Sequence, residues 1–181
     1  MFTDEAVLAE DLGFDYVSTS EHHFEDDAWS PSQLVILSNI AGRTSRLRFH
    51  TNIFLLPLHH PLQVSEDAAT VDLLSNGRMD LICGTSSVLE EFEPFGVPAK
   101  SRWSRFWEEM EIIRLSYAQD TFEFHGKHFY FPTRSARPPS RSRTPSRCGS
   151  VVSARSSSWN RAAGAFTPRA ARNSGPSTCR A

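Results

Sequence analysis

The chain has 181 residues, 39% of them hydrophobic, and a formal net charge of −2, which is enough length and apolar content for one folded core. The near-neutral total hides two unlike parts: Met1 to Thr133 carries 9 Lys and Arg against all 21 Asp and Glu, net −12, while the remainder carries 10 Arg and no acid. No run approaches the roughly 20 apolar residues of a membrane span, and Asp4 and Glu5 stand where a signal peptide would be basic, so neither membrane insertion nor export is expected. Three widely spaced cysteines, Cys83, Cys148 and Cys179, form no C-x-x-C pair, which suits a reduced, cytoplasmic setting.

In chain order, Thr3 is placed to cap a helix carrying Ala6, Val7, Ala9 and Leu12 that Gly13 ends. Phe14 to Thr19 reads as a strand. Pro31 precedes a helix whose apolar face is Leu34, Leu37, Ile40 and Ala41, and Leu47 to Leu56 is the next strand. Pro61 opens a helix bearing Val64, Ala68, Val71 and Leu74, which Asn76-Gly77 closes before a third strand, Met79 to Cys83. Trp103, Phe106, Trp107, Met110, Ile113 and Tyr117 have the spacing of one helix face, so the two tryptophans are expected in the core. Thr121 to Phe124 and His128 to Phe131 flank Gly126-Lys127 as a hairpin. Strands alternating with helices imply an α/β fold with a parallel sheet, either a barrel or a doubly wound sheet. Neither common phosphate-loop motif follows any strand.

Two histidine pairs draw attention: Glu21-His22-His23-Phe24 after the first strand and His59-His60-Pro61 after the second. Loops beyond the carboxyl ends of parallel strands are where such folds place chemistry. The plainer alternative is that these imidazoles cap helices or bond nearby carbonyls. Metal ligation is not expected, because neighbouring residues on an extended segment point to opposite sides, leaving one inward ligand per pair, and no H-x-H or H-E-x-x-H spacing is present.

These residues resemble a known family. Glu21-His22-His23-Phe24, the segment Ala9 to Val17, Leu55 to Leu62 with its His59-His60-Pro61, Asp72 to Leu81, then Glu91-Phe92, Phe95-Gly96, Ser101-Arg102 and Phe124 to His128 are together similar, in order and spacing, to luciferase-like flavin-dependent monooxygenases. The resemblance covers about the first 130 residues and implies part of a (β/α)8 TIM barrel that holds reduced FMN, or the deazaflavin F420 in some relatives, at the carboxyl ends of its strands. It implies an enzyme that uses O2 to oxygenate a small organic substrate, fed by a flavin reductase and able to pair as a homo- or heterodimer. His22 matches the family's catalytic histidine, and His23, Thr51, Asn52, Ile53, Gly84 and Thr85 fall at cofactor-binding positions. The strand ending at Cys83 is followed by Gly84-Thr85-Ser86, where the family usually has glycines and a phosphate-holding arginine.

Only three strands of the expected barrel are recognisable. From Arg134 to Ala181 there is no Leu, Ile, Met, Tyr, Asp, Glu, Lys or Gln, and Arg, Ser, Pro and Ala dominate. The chain thus divides into a partial barrel, 1–133, and a tail, 134–181, expected to be disordered, whose composition fits GC-rich DNA read out of frame. Two further readings stay open: a non-catalytic flavin-binding or dimer-partner subunit, and nucleic-acid binding through the arginine-rich tail, which the acidic first part opposes.

Overall fold

A computed structural model describes residues 2–24, 26, 30–132 and 152–153. The expected disordered tail lies outside the described residues, apart from the strand Val152–Ser153, and so do Cys148 and Cys179. The elements run α1 (Phe2–Asp11), β1 (Tyr16–Thr19), α2 (Gln33–Arg43), β2 (Arg48–Thr51), β3 (Phe54–Leu55), α3 (Pro61–Leu74), β4 (Met79–Asp80), β5 (Ile82–Gly84), α4 (Arg102–Ala118), β6 (Phe124–His125), β7 (Tyr130–Phe131) and β8 (Val152–Ser153).

The second and third strands of the sequence reading are each split in two. β2 stops at Thr51, the peptide Asn52–Ile53 is cis, and β3 resumes at Phe54; β4 and β5 are separated by Leu81. The parallel array therefore consists of two short sheets laid end to end, β1-β2-β4 and β3-β5-β8. Registry pairs Val17 with Phe49, Phe49 with Met79, and Leu55 with Gly84. Parallel strands joined by helices are the arrangement of a β/α fold, and among the described residues β1 lies at a sheet edge.

Side-chain alternation gives the sheet two unlike faces. Phe49, Met79, Leu81 and Cys83 join Leu37, Ile40, Leu56, Val64, Phe106 and Ile113 in one buried cluster, so this face carries the four helices. Thr51 shares the parity of Phe49 and is fully buried. The opposite face bears Tyr16, Arg48 and Asp80: Arg48 donates through Nε to the Tyr16 hydroxyl at 2.8 Å and through Nη2 to Asp80 Oδ2 at 2.8 Å. Leu8, Leu12, Phe14 and Tyr16, on α1 and at the open β1 edge, are 47–67% exposed. Among the described residues no strand pairs with that side of β1, which leaves apolar surface of this kind uncovered.

Local chemistry explains most of the element ends. Asn76 and Gly77 have φ of 56° and 79°, the left-handed conformation that terminates α3, and Pro61 occupies its first turn. Thr3 lies inside α1 rather than at its cap and turns its hydroxyl to Asn39 of α2. Arg78 ties the α3–β4 turn to the end of α2, donating to the carbonyls of Ala41, Thr44, Leu47 and Ser75. Glu10 performs the corresponding task for the α2–β2 turn. Its carboxylate accepts the backbone amides of Ser45, Arg46 and Leu47, and those bonds hold its pKa down to about 2. The hairpin β6–β7 is antiparallel as expected, and Glu108 of α4 accepts the turn amides of Lys127 and His128, both at 2.8 Å.

α4 departs from its expected orientation. Phe106 and Ile113 are buried, but Trp103 and Trp107 are 38% and 45% exposed, so neither tryptophan belongs to the core. The face actually buried is Phe106, Glu109, Ile112, Ile113 and Ser116. The reason is a turn of helix phase: α4 packs on α3 through Ser116, whose hydroxyl meets that of Ser65, and this rotates residues 103 and 107 toward solvent.

Glu109 is fully buried on that face. Arg105 Nε lies 2.8 Å from its Oε1 but directs its proton to the Pro57 carbonyl at 3.0 Å, so neither carboxyl oxygen receives a well-directed hydrogen bond. Burial pushes the pKa up to about 9 despite the nearby guanidinium. The folded chain thus keeps a proton that the unfolded chain releases above the ordinary value of 4.5. Stability is fully present below that value and declines as pH rises toward about 9, with a slope of at most about 1.4 kcal/mol per pH unit. Urea unfolding of Glu109→Gln at several pH values is expected to lack this component. Equal slopes for the variant and the parent chain would show that Glu109 titrates normally.

Candidate functional site

The carboxyl ends of β1, β3 and β5 open into one cleft of about 450 Å³. Its walls come from the loop Ser20–His22, from Asn52, Ile53 and Leu55, from the run Gly84 to Val88, and from Arg102 and Trp103 at the start of α4. Asn52 is held at the rim by backbone pairing: its amide donates to Thr19 O at 2.7 Å, and Ser20 Oγ donates to its carbonyl at 2.9 Å.

Five of the seven residues singled out in the sequence come together here: His22, Asn52, Ile53, Gly84 and Thr85. The other two do not line the cleft. Thr51 faces the helix layer, where its hydroxyl accepts the Ile82 amide and donates to the Ile82 carbonyl, both at 2.8 Å, tying β2 to β5. His23 turns away from His22, is 8% exposed, and packs edge-on to Phe95 with ring centroids 4.8 Å apart. Alternation along an extended loop separates the two imidazoles, as the sequence argument anticipated.

His23 instead belongs to a buried cluster centred on Glu21. Glu21 Oε1 accepts from His23 Nε2 at 2.9 Å and from His59 Nε2 at 2.6 Å. Its Oε2 accepts from Gln33 Nε2 at 3.1 Å and from the Leu55 amide at 3.0 Å. Gln33 is itself fixed, donating to Ile53 O at 2.8 Å and accepting from Thr19 Oγ1 at 2.9 Å. Burial opposes the charge on Glu21, but the bonds from His23 and His59 outweigh it and hold the pKa down to about 2. The carboxylate is therefore ionised across the physiological range. A second buried acid, Glu91, accepts the His23 amide at 2.9 Å and the Ser86 hydroxyl. His60 is separate: its ring packs edge-on to Phe129 and Phe131 of the hairpin region, each at 5.9 Å.

Arg102, Ser86, Ser87 and Trp103 line the cleft without having been singled out as ligands. Arg102 lies 17 positions beyond Thr85 in the chain, and nothing in local spacing links them. Arg102 brings a guanidinium to the cleft from the start of α4, where its Nη1 donates to Ala99 O at 2.9 Å. The tryptophan was legible only as half of a helical stripe.

A cleft beyond the carboxyl ends of parallel strands, walled by β/α loops, is where β/α-barrel proteins hold their ligands. The chain belongs to the luciferase-like monooxygenase family, whose profile matches residues 2–165. It is 29% identical over 134 residues to the oxygenase component of a flavin-dependent trigonelline monooxygenase from Acinetobacter baylyi, covering 72% of this chain and 37% of that protein. It is 31% identical over 132 residues to an F420-dependent glucose-6-phosphate dehydrogenase from Amycolatopsis mediterranei, covering 68% and 39%. Among solved structures, the monooxygenase RslO1 from Streptomyces bottropensis superposes with a TM-score of 0.72 at 31% identity, over 81% of this chain and 44% of that one. The chain therefore spans less than half the length of the relatives it matches. No helix among the described residues is long and apolar enough to cross a membrane.

The shared anchoring of Glu21 by Gln33 gives a stability prediction. Gln33→Leu keeps the volume but strips donors from Glu21 Oε2 and Ile53 O and leaves the Thr19 hydroxyl without its acceptor, at a cost of about 2–4 kcal/mol. Chemical denaturation checks this, and a loss below about 0.5 kcal/mol, the scale of an ordinary surface change, would show that the cluster is not constrained through Gln33.

Proposed function

We propose that the cleft binds reduced FMN and that the chain is the cofactor-binding part of a flavin-dependent monooxygenase. The observation that supports this reading is the composition of the walls. Ile53 and Leu55 offer an apolar surface for a planar ring. His22 and Asn52 offer polar groups at its edge, and Thr85, Ser87 and Arg102 offer hydroxyls and a guanidinium for a phosphate. The donor set fits a flavin mononucleotide. F420 would use the same apolar wall and phosphate donors, so it stands as the second candidate, favoured by the F420-dependent relative.

When bound, reduced flavin supplies the electrons that activate O2 for transfer of one oxygen atom to an organic substrate. The residues of the chain position and shield that chemistry. Arg102, with Thr85 and Ser87, neutralises and orients the phosphate end. Trp103 and Ile53 in the walls exclude water. His22 holds or releases a proton beside the ring, the role of an imidazole general acid or base. The relative named as an oxygenase component supports a separate flavin reductase as the source of reduced cofactor.

Two variants test the assignment. Arg102→Ala is expected to weaken FMN binding roughly 10- to 100-fold, about 1.4–2.8 kcal/mol, because a charge-assisted phosphate contact is lost. Riboflavin, which has no phosphate, should bind both proteins alike. Fluorescence titrations with FMN, riboflavin and F420 read this out, and an equal loss for riboflavin would remove Arg102 from the phosphate end. His22→Ala should lower oxygen transfer on the order of 10²- to 10⁴-fold while FMN affinity stays within a few-fold. Normal turnover in that variant would take His22 out of the reaction.

A further inference from the structure

At the wall of the cleft to which Glu21 contributes, the fold brings Glu21, His23 and His59 together with their donor atoms all within 4.8 Å of one another. Each histidine pair contributes one ring. His23 comes from the loop after β1 and His59 from the turn before α3, while His22 lines the cleft and His60 packs on the hairpin. Glu21 has no exposed side-chain area, and His23 and His59 retain 7% and 26%.

From these contacts we propose a divalent metal site of the zinc type, formed by Glu21 Oε1, His23 Nε2 and His59 Nε2, with water in the fourth position. The chemistry of the donors selects the ion, since two imidazoles and one carboxylate suit zinc and its neighbours rather than calcium or magnesium, which take oxygen sets. The surroundings are those of a prepared ligand. Glu21 Oε2 is fully engaged by Gln33 Nε2 and the Leu55 amide, which leaves Oε1 alone aimed at the two rings, and Gln33 is clamped in turn by Thr19 and Ile53. Ligating carboxylates are commonly held by outer hydrogen bonds in this manner.

The distances fit after a small adjustment. Oε1 lies 2.9 Å from His23 Nε2 and 2.6 Å from His59 Nε2. Metal–ligand bonds of about 2.0–2.2 Å at tetrahedral angles hold neighbouring ligand atoms about 3.3 Å apart, so each ring withdraws from Oε1 by about half an ångström while the two imidazole nitrogens, which lie within 4.8 Å of each other, settle at the same spacing. Each ring then carries its proton on Nδ1 and presents the Nε2 lone pair to the metal. The partial exposure of His59 supplies the entry side and the position for water. A bound ion would pin the β1 loop to the turn before α3 and so fix the position of His22 between them, whether or not a flavin occupies the cleft.

The test uses zinc and cobalt chlorides with the full chain and no flavin. Isothermal titration is expected to give one site with a Kd of about 10 µM or tighter, and cobalt should develop the visible absorption of a four-coordinate ion. Ring-nitrogen NMR of the unaltered chain should shift Nε2 of His23 and His59 on zinc addition and leave His125 and His128 in place. His59→Ala and His23→Ala should each weaken binding by at least about tenfold, while His125→Ala changes nothing. No binding up to about 1 mM zinc, or binding that shifts other rings or survives His59→Ala undiminished, overturns the site. A failure of FMN to bind leaves this result untouched, so the two readings fall separately.

Discussion

The structure around the cleft depends on one ionised carboxylate removed from water. Burying Glu21 as an anion is unfavourable by several kcal/mol unless its lone pairs are satisfied, and here both oxygens are, by two imidazoles, a carboxamide and a backbone amide. Those donors come from the β1 loop, the start of α2, β3 and the turn before α3. The carboxylate therefore ties together the segments that follow the first two strands. His22, one residue further on, enters the cleft because Glu21 and His23 on either side are held in place.

The same alternation that separates His22 from His23 organises the sheet. Phe49, Met79 and Cys83 feed the helix-covered core, whereas Tyr16, Arg48 and Asp80 form a hydrogen-bonded polar row on the opposite face. In a closed barrel that face points inward, and polar residues there require partners, which the Arg48 guanidinium provides. Leu12, Phe14 and Tyr16 at the β1 edge are exposed apolar side chains.

The α/β class and the alternation of strands and helices were legible from the chain alone because helix and strand periodicity are local properties, whereas the choice of a barrel and the family came from the resemblance carried by strings such as Glu21-His22-His23-Phe24 and Asn76-Gly77-Arg78. Less visible was the fate of individual side chains within those elements. Trp103 and Trp107 fit a helical stripe, yet the packing of α4 on α3 through Ser116 and Ser65 rotates them outward and places Glu109 inside. Periodicity reports that a helix has a face, whereas the neighbouring helix decides which face is buried.

The sequence by itself determined the alternation of strands and helices, the turns that end them, and the loops that carry the histidines, since each follows from a few consecutive residues. Only the tertiary structure decided that His59 rather than His60 meets Glu21, that Thr51 turns from the cleft, and that Arg102 lines the same cleft as Thr85. Those outcomes join residues 17 to 38 positions apart, or depend on which side of a strand is covered. Such relations are set by packing and by the need to satisfy a buried charge, and no local pattern records them.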